Sequence, residues 1–437
     1  MLLSLSAAVG AWGQDNAAPP PSISFEGAVR AALTNSHEVR LAGQDTRITA
    51  EGKTRAQAGR YPRLDVSGDY TTLSEPPSAF ILGMSIQTAD KSISRARAVA
   101  EQTIFDFGRT RSRVDQAQAR LETAEKVEGL TRERQALDVI SVFLAARRAE
   151  EILTVALESL AAAKDHRRVA GDQYDFGVVA KNDVLAADVQ VANAESAVIV
   201  AENQVELSRS RLALRMGYSG EWSVAPANGP FPTPAGELPP LTDSLRAGLG
   251  KRSELRAQEA AIREGEAALS GAKSEFAPTF FGQGGYFYET NELNPHKSVF
   301  SLVVGGKVNL FAGFSDEAAK RQALISVDRR KETLSKLRDD IALEVKAAHL
   351  FVNEATKRKG MAEVAVARAE ENLRIQNDRY KEGLAISTET LDAQTLLTRA
   401  KFDRQNAAYD QFEARFRLLA ARGELMEFLN PLISAGR

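Results

Sequence analysis

From Leu64 to Tyr70 apolar and polar residues alternate: Leu64, Val66 and Tyr70 fall on one side, Asp65, Ser67 and Asp69 on the other. A period of two with a glycine inside is the pattern of a strand with one wet face. "TFFGQGGYFYE" has the same strand character. In "SVFSLVVGGKVNLFAG", Phe300, Leu302, Val304, Val308 and Leu310 share a face opposite Ser301, Lys307 and Asn309. The matching return run in the first half, "SRARAVAEQTIFDFG", alternates poorly. Four strands in two hairpins are predicted. After Gly108 and Gly313 the period changes to steps of three and four, as in Val114, Ala117, Leu121, Ala124 and in Leu334, Leu337, Ile341. This is the narrow seam of a coiled coil. Neither run meets a proline before Gly177 or Gly383, and about sixty helical residues span about 100 Å. Further helices are predicted from Phe25 to Gly59 and from Val178 to Met216.

The whole grammar is written twice. Arg30, Leu33, Glu38 and Arg40 match Arg246, Leu249, Glu254 and Arg256, and Pro62, Gly68 and Tyr70 match Pro278, Gly284 and Tyr286. Further on, Gly108 matches Gly313, and Tyr174, Gly177, Leu185, Leu212 and Gly217 match Tyr380, Gly383, Leu391, Leu418 and Gly423. Conserved order over such a length indicates an internal duplication. The first copy spans 25–217 with its β-hairpin at about 62–107, and the second 241–425 with its hairpin at about 278–312. Between them, residues 218–240 form a Pro/Gly-rich linker, which cannot be helix interior; Trp222 in it reads as local core. Residues 426–437 are a short tail.

Composition narrows the function. The formal charge of −2 leaves no basic footprint, so nucleic acid is not an expected partner. Absence of cysteine excludes disulfides, thiolate metal sites and a lipidated N-terminal cysteine. Residues 1–13 read as a signal peptide without its basic start: an apolar stretch followed by the small-x-small pattern Ala11-Trp12-Gly13. The plainer alternative is a mildly apolar N-terminus. No later segment approaches the ~20 apolar residues of a membrane helix, so entry into a membrane requires strands. His37, His166, His296 and His349 are scattered, and neither a phosphate-cradling loop nor a nucleophile elbow is present. No enzyme, cofactor or metal is expected.

Four strands leave two open edges, which a bilayer forbids because unpaired backbone groups there cost several kcal/mol each. Several chains must therefore close one sheet, and the long helical hairpins need neighbours along their length. On these elements, and on "TIFDFGRTRSRVDQAQARLETAE", "VNLFAGFSDEAAKRQA" and "RYKEGLAISTETLDAQTLLTRAKFDRQNAAYDQFEARFRLLAARGEL", the chain resembles the TolC-like outer-membrane efflux proteins. The resemblance covers Phe25 to Leu425. It implies an α+β membrane protein: long helical hairpins forming a periplasmic α-barrel, and four strands per chain contributing to an oligomeric transmembrane β-barrel. It also implies a homotrimer in the outer-membrane lipid of a Gram-negative bacterium. Such a trimer serves efflux or type I secretion with a periplasmic adaptor protein and an inner-membrane transporter. The rival class is a periplasmic or secreted coiled-coil scaffold, which has no need of an apolar-out band of strands.

The resemblance also assigns residues. It places Glu389 and Asp392 at a periplasmic constriction, where three chains would present a ring of six carboxylates, and makes Tyr380 and Asp183 partners in a hydrogen bond between hairpins. Three apart at a helix start, Glu389 and Asp392 share a face. An acid in a first helical turn equally complements the helix dipole, and Tyr380 can simply pack beside Gly383. Gly177 and Gly383 read as helix C-terminal glycines in left-handed backbone. Where some relatives carry a basic gate residue after the glycine, Ala385 stands here. The loop "SEPPSAFILGMSIQTADKS" between the first two strands would face outside.

Overall fold

The computed structural model describes residues 22–218, 223–234 and 236–435; the expected leader and Trp222 lie outside them. The chain begins with β1 (Ser22–Ile23), α1 (Phe25–Asn35) and α2 (His37–Gln57). Then come β2 (Arg63–Thr72), β3 (Ser78–Ile81), β4 (Met84–Gln87), β5 (Ser92–Phe105), α3 (Arg109–Asp175) and α4 (Lys181–Arg215). The second half runs β6 (Ala225–Pro226), α5 (Leu241–Lys251), α6 (Ser253–Ser274), β7 (Thr279–Glu289), β8 (Ser298–Lys307), α7 (Ser315–Lys381), α8 (Ser387–Ala421) and α9 (Leu425–Ala435). The halves agree in length: α3 and α7 have 67 residues each, α4 and α8 have 35, and α1 and α5 have 11.

Two compact units are present. One contains residues 43–128 and 253–338. Its centre is an antiparallel sheet of order β2-β5-β7-β8. Register places Val66, Ala98, Tyr286 and Phe300 in one row, and Leu64, Ala100, Gly284 and Leu302 in the next. Since neighbours across an antiparallel ladder point to the same face, these rows make a continuous apolar surface, on which Val66, Phe300, Leu302 and Val304 are each more than 70% exposed. The opposite face is mixed: it carries Asp69, Arg95 and Glu289 in one row and Ser67, Arg97, Phe287 and Val299 in another. Arg95 pairs with Asp69 at 3.7 Å and with Glu289 at 3.6 Å, and Arg97 donates to Ser67 Oγ at 2.7 Å.

The register explains why the return run alternated poorly to the eye. Along β5 it is Ala96, Ala98 and Ala100 that occupy the apolar face, between Arg95, Arg97 and Glu101. Alanine is too weakly hydrophobic to advertise a buried or lipid-facing side. Two expectations change here. β8 ends at Lys307, so Val308 and Leu310 do not extend its apolar row. The expected count of four strands in two hairpins is also exceeded: within the loop after β2, β3 and β4 pair as a ribbon turned at Leu82-Gly83, both with positive φ (51° and 83°), the torsions a two-residue hairpin turn requires.

The other unit contains residues 22–42, 129–252 and 339–435 of the described chain. Its core joins α1, α3, α4, α8, α9 and the linker around Phe25, whose ring lies 5.6 Å from Phe143, 5.6 Å from Phe416 and 6.0 Å from Phe231. The helix expected from Phe25 to Gly59 breaks at Ser36. Its backbone is extended (ψ 139°), and its Oγ accepts from Val39 N at 3.2 Å, capping α2. The break lets Gly217 approach: a Cβ there would sit 2.5 Å from the Asn35 carbonyl, and φ is +87°. The duplicate is the same in kind, with Gly423 (φ +69°) against Lys251 and Arg252 at the α5–α6 break.

α4 corrects one sequence expectation: it is the one helix among the described residues long and apolar enough to cross a membrane. It is built into this unit instead. Asp188 pairs with Arg167 at 2.9 Å and Glu195 with Lys164 at 3.0 Å, while Ala187, Ala194, Val198, Ala201 and Val205 are buried.

Candidate functional site

The two phrases around Gly177 and Gly383 form the same turn. Gly177 has φ 74° and Gly383 φ 72°. Val178 N donates to Gln173 O and Leu384 N to Arg379 O, each at 2.8 Å, while each glycine N donates to the carbonyl of its tyrosine three residues earlier. These are the six-to-one and five-to-two closures of a Schellman cap. A Cβ at either glycine would meet nothing within 4 Å; glycine is required for its backbone, not for space. The following helices, α4 and α8, start without a side-chain cap at Ala180 and Ile386 and carry one acid each in the first turn, Asp183 and Glu389.

The two acids of the second turn have different surroundings. Glu389 Oε2 lies 3.4 Å from Arg379 Nη1, and Arg379 also donates to Leu384 O at 3.3 Å. Asp392 is exposed and has no ion pair among the described residues. So a guanidinium reaches the turn although Ala385 cannot supply one. The linear sequence hid it because Arg379 precedes the glycine, and its counterpart in the first copy is Gln173. An exposed pair of this kind contributes only about 0.2–1 kcal/mol, but it leaves Asp392 as the uncompensated charge.

Tyr380 is 3% exposed, whereas Tyr174 at the first turn is 43% exposed. Within the chain Tyr380 makes no hydrogen bond to Asp183; its Oη is buried without a partner. Burial pushes its phenol up, the charge of Asp183 adds to this, and the nearby Ser387 hydroxyl acts the other way. The Ser387 hydroxyl is itself bonded to His166 Nε2 at 3.1 Å. The His166 ring stands 5.2 Å from that of Tyr380, tilted by 43°. In the sequence His166 is one of four scattered histidines. It lies on α3 of the first hairpin, yet its contacts are on α7 and α8 of the second. Burial pulls the imidazole below its ordinary value, against the charges of Asp165 and Asp183. Beside it lies a cavity of about 190 Å³, lined among others by Tyr380 and Thr390; Thr390 Oγ1 is also buried and unpartnered.

These elements can position charges and hydroxyls around a seam between hairpins; they do not assemble a nucleophile with a base. Among the described residues no cluster of three potential metal ligands occurs. A profile of outer membrane efflux proteins matches residues 28–218 and again residues 245–424. The chain belongs to the outer membrane efflux protein family. Members of that family are channels rather than enzymes. Similar solved folds include CusC (TM-score 0.80, 16% identity, 91% of this chain and 92% of that one). CmeC of Campylobacter jejuni has a TM-score of 0.79 at 13% identity, covering 94% of this chain and 88% of that one. For VceC of Vibrio cholerae the values are 0.76 and 17%, with 91% and 96% covered. No curated protein sequence matches this chain.

Proposed function

We propose that three copies of this chain close their sheets into one twelve-stranded barrel in the outer membrane. In that assembly the helical hairpins line a periplasmic tunnel, through which an inner-membrane transporter and its adaptor export small molecules or proteins. The observation that carries the reading is the four-stranded sheet, exposed and apolar on one face, with its charged residues all on the other, and with β2 and β8 as its edges. In a bilayer those edges must be satisfied by another chain. Two copies would give eight strands, an interior just wide enough to be filled by side chains. Three give a lumen, and the paired charges of Arg95, Asp69 and Glu289 suit a wet wall. The repeats at 25–217 and 241–425 would then supply corresponding hairpins around the ring, with 218–240 as the equatorial linker and 1–13 as the export signal.

At the tunnel end the gate is the second turn. Asp392 carries the net charge of the constriction, Glu389 shares its charge with Arg379, and Tyr380 with Asp183 contributes to holding the end closed, each turn being set by Gly177 or Gly383. Fitting this, the first copy has Ala186 where the second has Asp392. The test is reconstitution: the protein extracted in detergent should run as a trimer and give discrete cation-blockable conductance in planar bilayers. A soluble monomer after mild lysis would overturn the channel and return the coiled-coil scaffold, for which an apolar sheet face has no use.

A further inference from the structure

We propose that the seam between the two helical hairpins is a pH-operated latch, in which protonation of His166 loosens the contact with Tyr380 and Ser387 and favours opening of the tunnel end. The inference rests on the channel reading for its consequence, but not for the latch itself.

The geometry is that of a half-buried imidazole bridging two elements. His166 Nε2 and Ser387 Oγ are 3.1 Å apart, Ser387 is 1% exposed, and the Tyr380 ring covers the imidazole. These contacts tie the first hairpin to the second inside one chain. The charged groups that bear on the ring are few. On α3, Asp165 precedes it and is held by Arg168 at 2.8 Å. On α4 the acid is Asp183. On α7, Tyr380 and Lys381 line the adjoining cavity, and α8 presents Ser387, Thr390, Leu391 and Gln394, none of them charged. One acid already paired, one half-exposed and one opposing ammonium do not offset the loss of water around an imidazolium.

Two further observations agree. Tyr380 Oη and Thr390 Oγ1 are buried and have no hydrogen-bond partner among the described residues. Both residues line the cavity of about 190 Å³ beside the ring. That is room for water with polar partners, a route by which a proton reaches the imidazole.

The sign follows from linkage. In the parted seam the ring would stand in water with an ordinary value near 6.5; in the closed seam burial holds it lower. The closed state is therefore fully favoured above about pH 6.5 and loses ground as pH falls from there towards the depressed value. Each unit of difference is worth up to a tenfold shift in the open-to-closed ratio.

The experiment uses full-length protein. In planar bilayers, open probability should rise several-fold between pH 7.5 and pH 5. His166→Gln, which keeps a hydrogen bond to Ser387 but does not titrate, should hold the pH 7.5 value throughout. A wild-type pH response in His166→Gln would overturn the proposal. Because the chain has no cysteine, spin labels at Val189→Cys on α4 and Leu396→Cys on α8, both exposed, report the hairpin separation directly. That distance should widen at pH 5 in the otherwise native protein and stay fixed with His166→Gln. An unchanged distance in the otherwise native protein overturns the latch whatever the bilayers show. A widening distance with no conductance at any pH keeps the latch and removes the channel.

Discussion

At the first turn Tyr174 is 43% exposed, while Tyr380, its counterpart at the second, is 3% exposed. The backbones around them are the same to within a few degrees at glycine and make the same closing hydrogen bonds. What differs is traffic from the other hairpin. His166 of α3 lies against Tyr380, whereas the residue in the second copy at the place of His166 is Asn372. Ser387 and Thr390, both buried, replace Lys181 and Val184. Duplication has kept the turn and changed its neighbours: the second turn is docked within its own chain, and the first is left open. In a closed ring of hairpins that open side is the one a neighbouring chain would meet.

The largest expected consequence concerns the tyrosines. Tyr380→Ala should cost about 4 kcal/mol, as for a buried aromatic, and Tyr174→Ala under about 1 kcal/mol, read as thermal unfolding of the detergent-solubilised protein. Equal losses would mean that the two turns are not differently docked. Next come the glycines far from the turns. Gly217→Ala combines positive φ with a backbone contact at 2.5 Å, and Gly423→Ala combines it with contacts at 3.1 Å. Strain from left-handed backbone is about 1–2 kcal/mol and overpacking adds about 1–3. The first should therefore lose roughly 3 kcal/mol and the second roughly 2, by the same melt. At the turns themselves space is free, so Gly177→Ala and Gly383→Ala should each lose only about 1–2 kcal/mol, and by equal amounts. A clear inequality would show that one turn carries strain its geometry does not display.

These pairs also show what could be read in advance. The turn glycines, the coiled-coil seams and the wet-and-dry strands were legible because each is a local period. The break at Ser36 was not, since no proline or glycine marks it; it depends on a serine cap and on Gly217 arriving from far along the chain. β5 was hard to read because alanine fills its apolar positions. The His166 contact with Ser387 bridges 221 residues, and no spacing rule reaches that far. The one available signal was the comparison of the copies: hydroxyls at Ser387 and Thr390 where the first turn has Lys181 and Val184. Arg379 is hidden likewise, because it precedes the glycine, whereas the resemblance points to a basic residue after it.

The smallest expected effect tests the charges, and it separates two acids that spacing alone treats as equal. Glu389 is 3.4 Å from Arg379; Asp392 has no ion pair among the described residues. If the second turn lines the constriction, Asp392→Asn removes an uncompensated charge from each of three chains. Even at the dielectric of water, one unit charge acting on another at about 4 Å amounts to about 1 kcal/mol, so the concentration of a divalent cation needed for block should rise roughly fivefold or more. Glu389→Gln should do less, because Arg379 already offsets the Glu389 charge and, once unpaired, its long exposed side chain can extend into water away from the opening. Arg379→Gln should act in the opposite direction and strengthen the block, by uncovering Glu389. The corresponding change at the first turn, Gln173→Arg, places a new guanidinium near Asp183 and should leave the block unchanged if that turn stands off the constriction. A fivefold loss from Glu389→Gln with none from Asp392→Asn would reverse the assignment, and equal loss from both would mean that the Arg379 pair does not persist in the working channel.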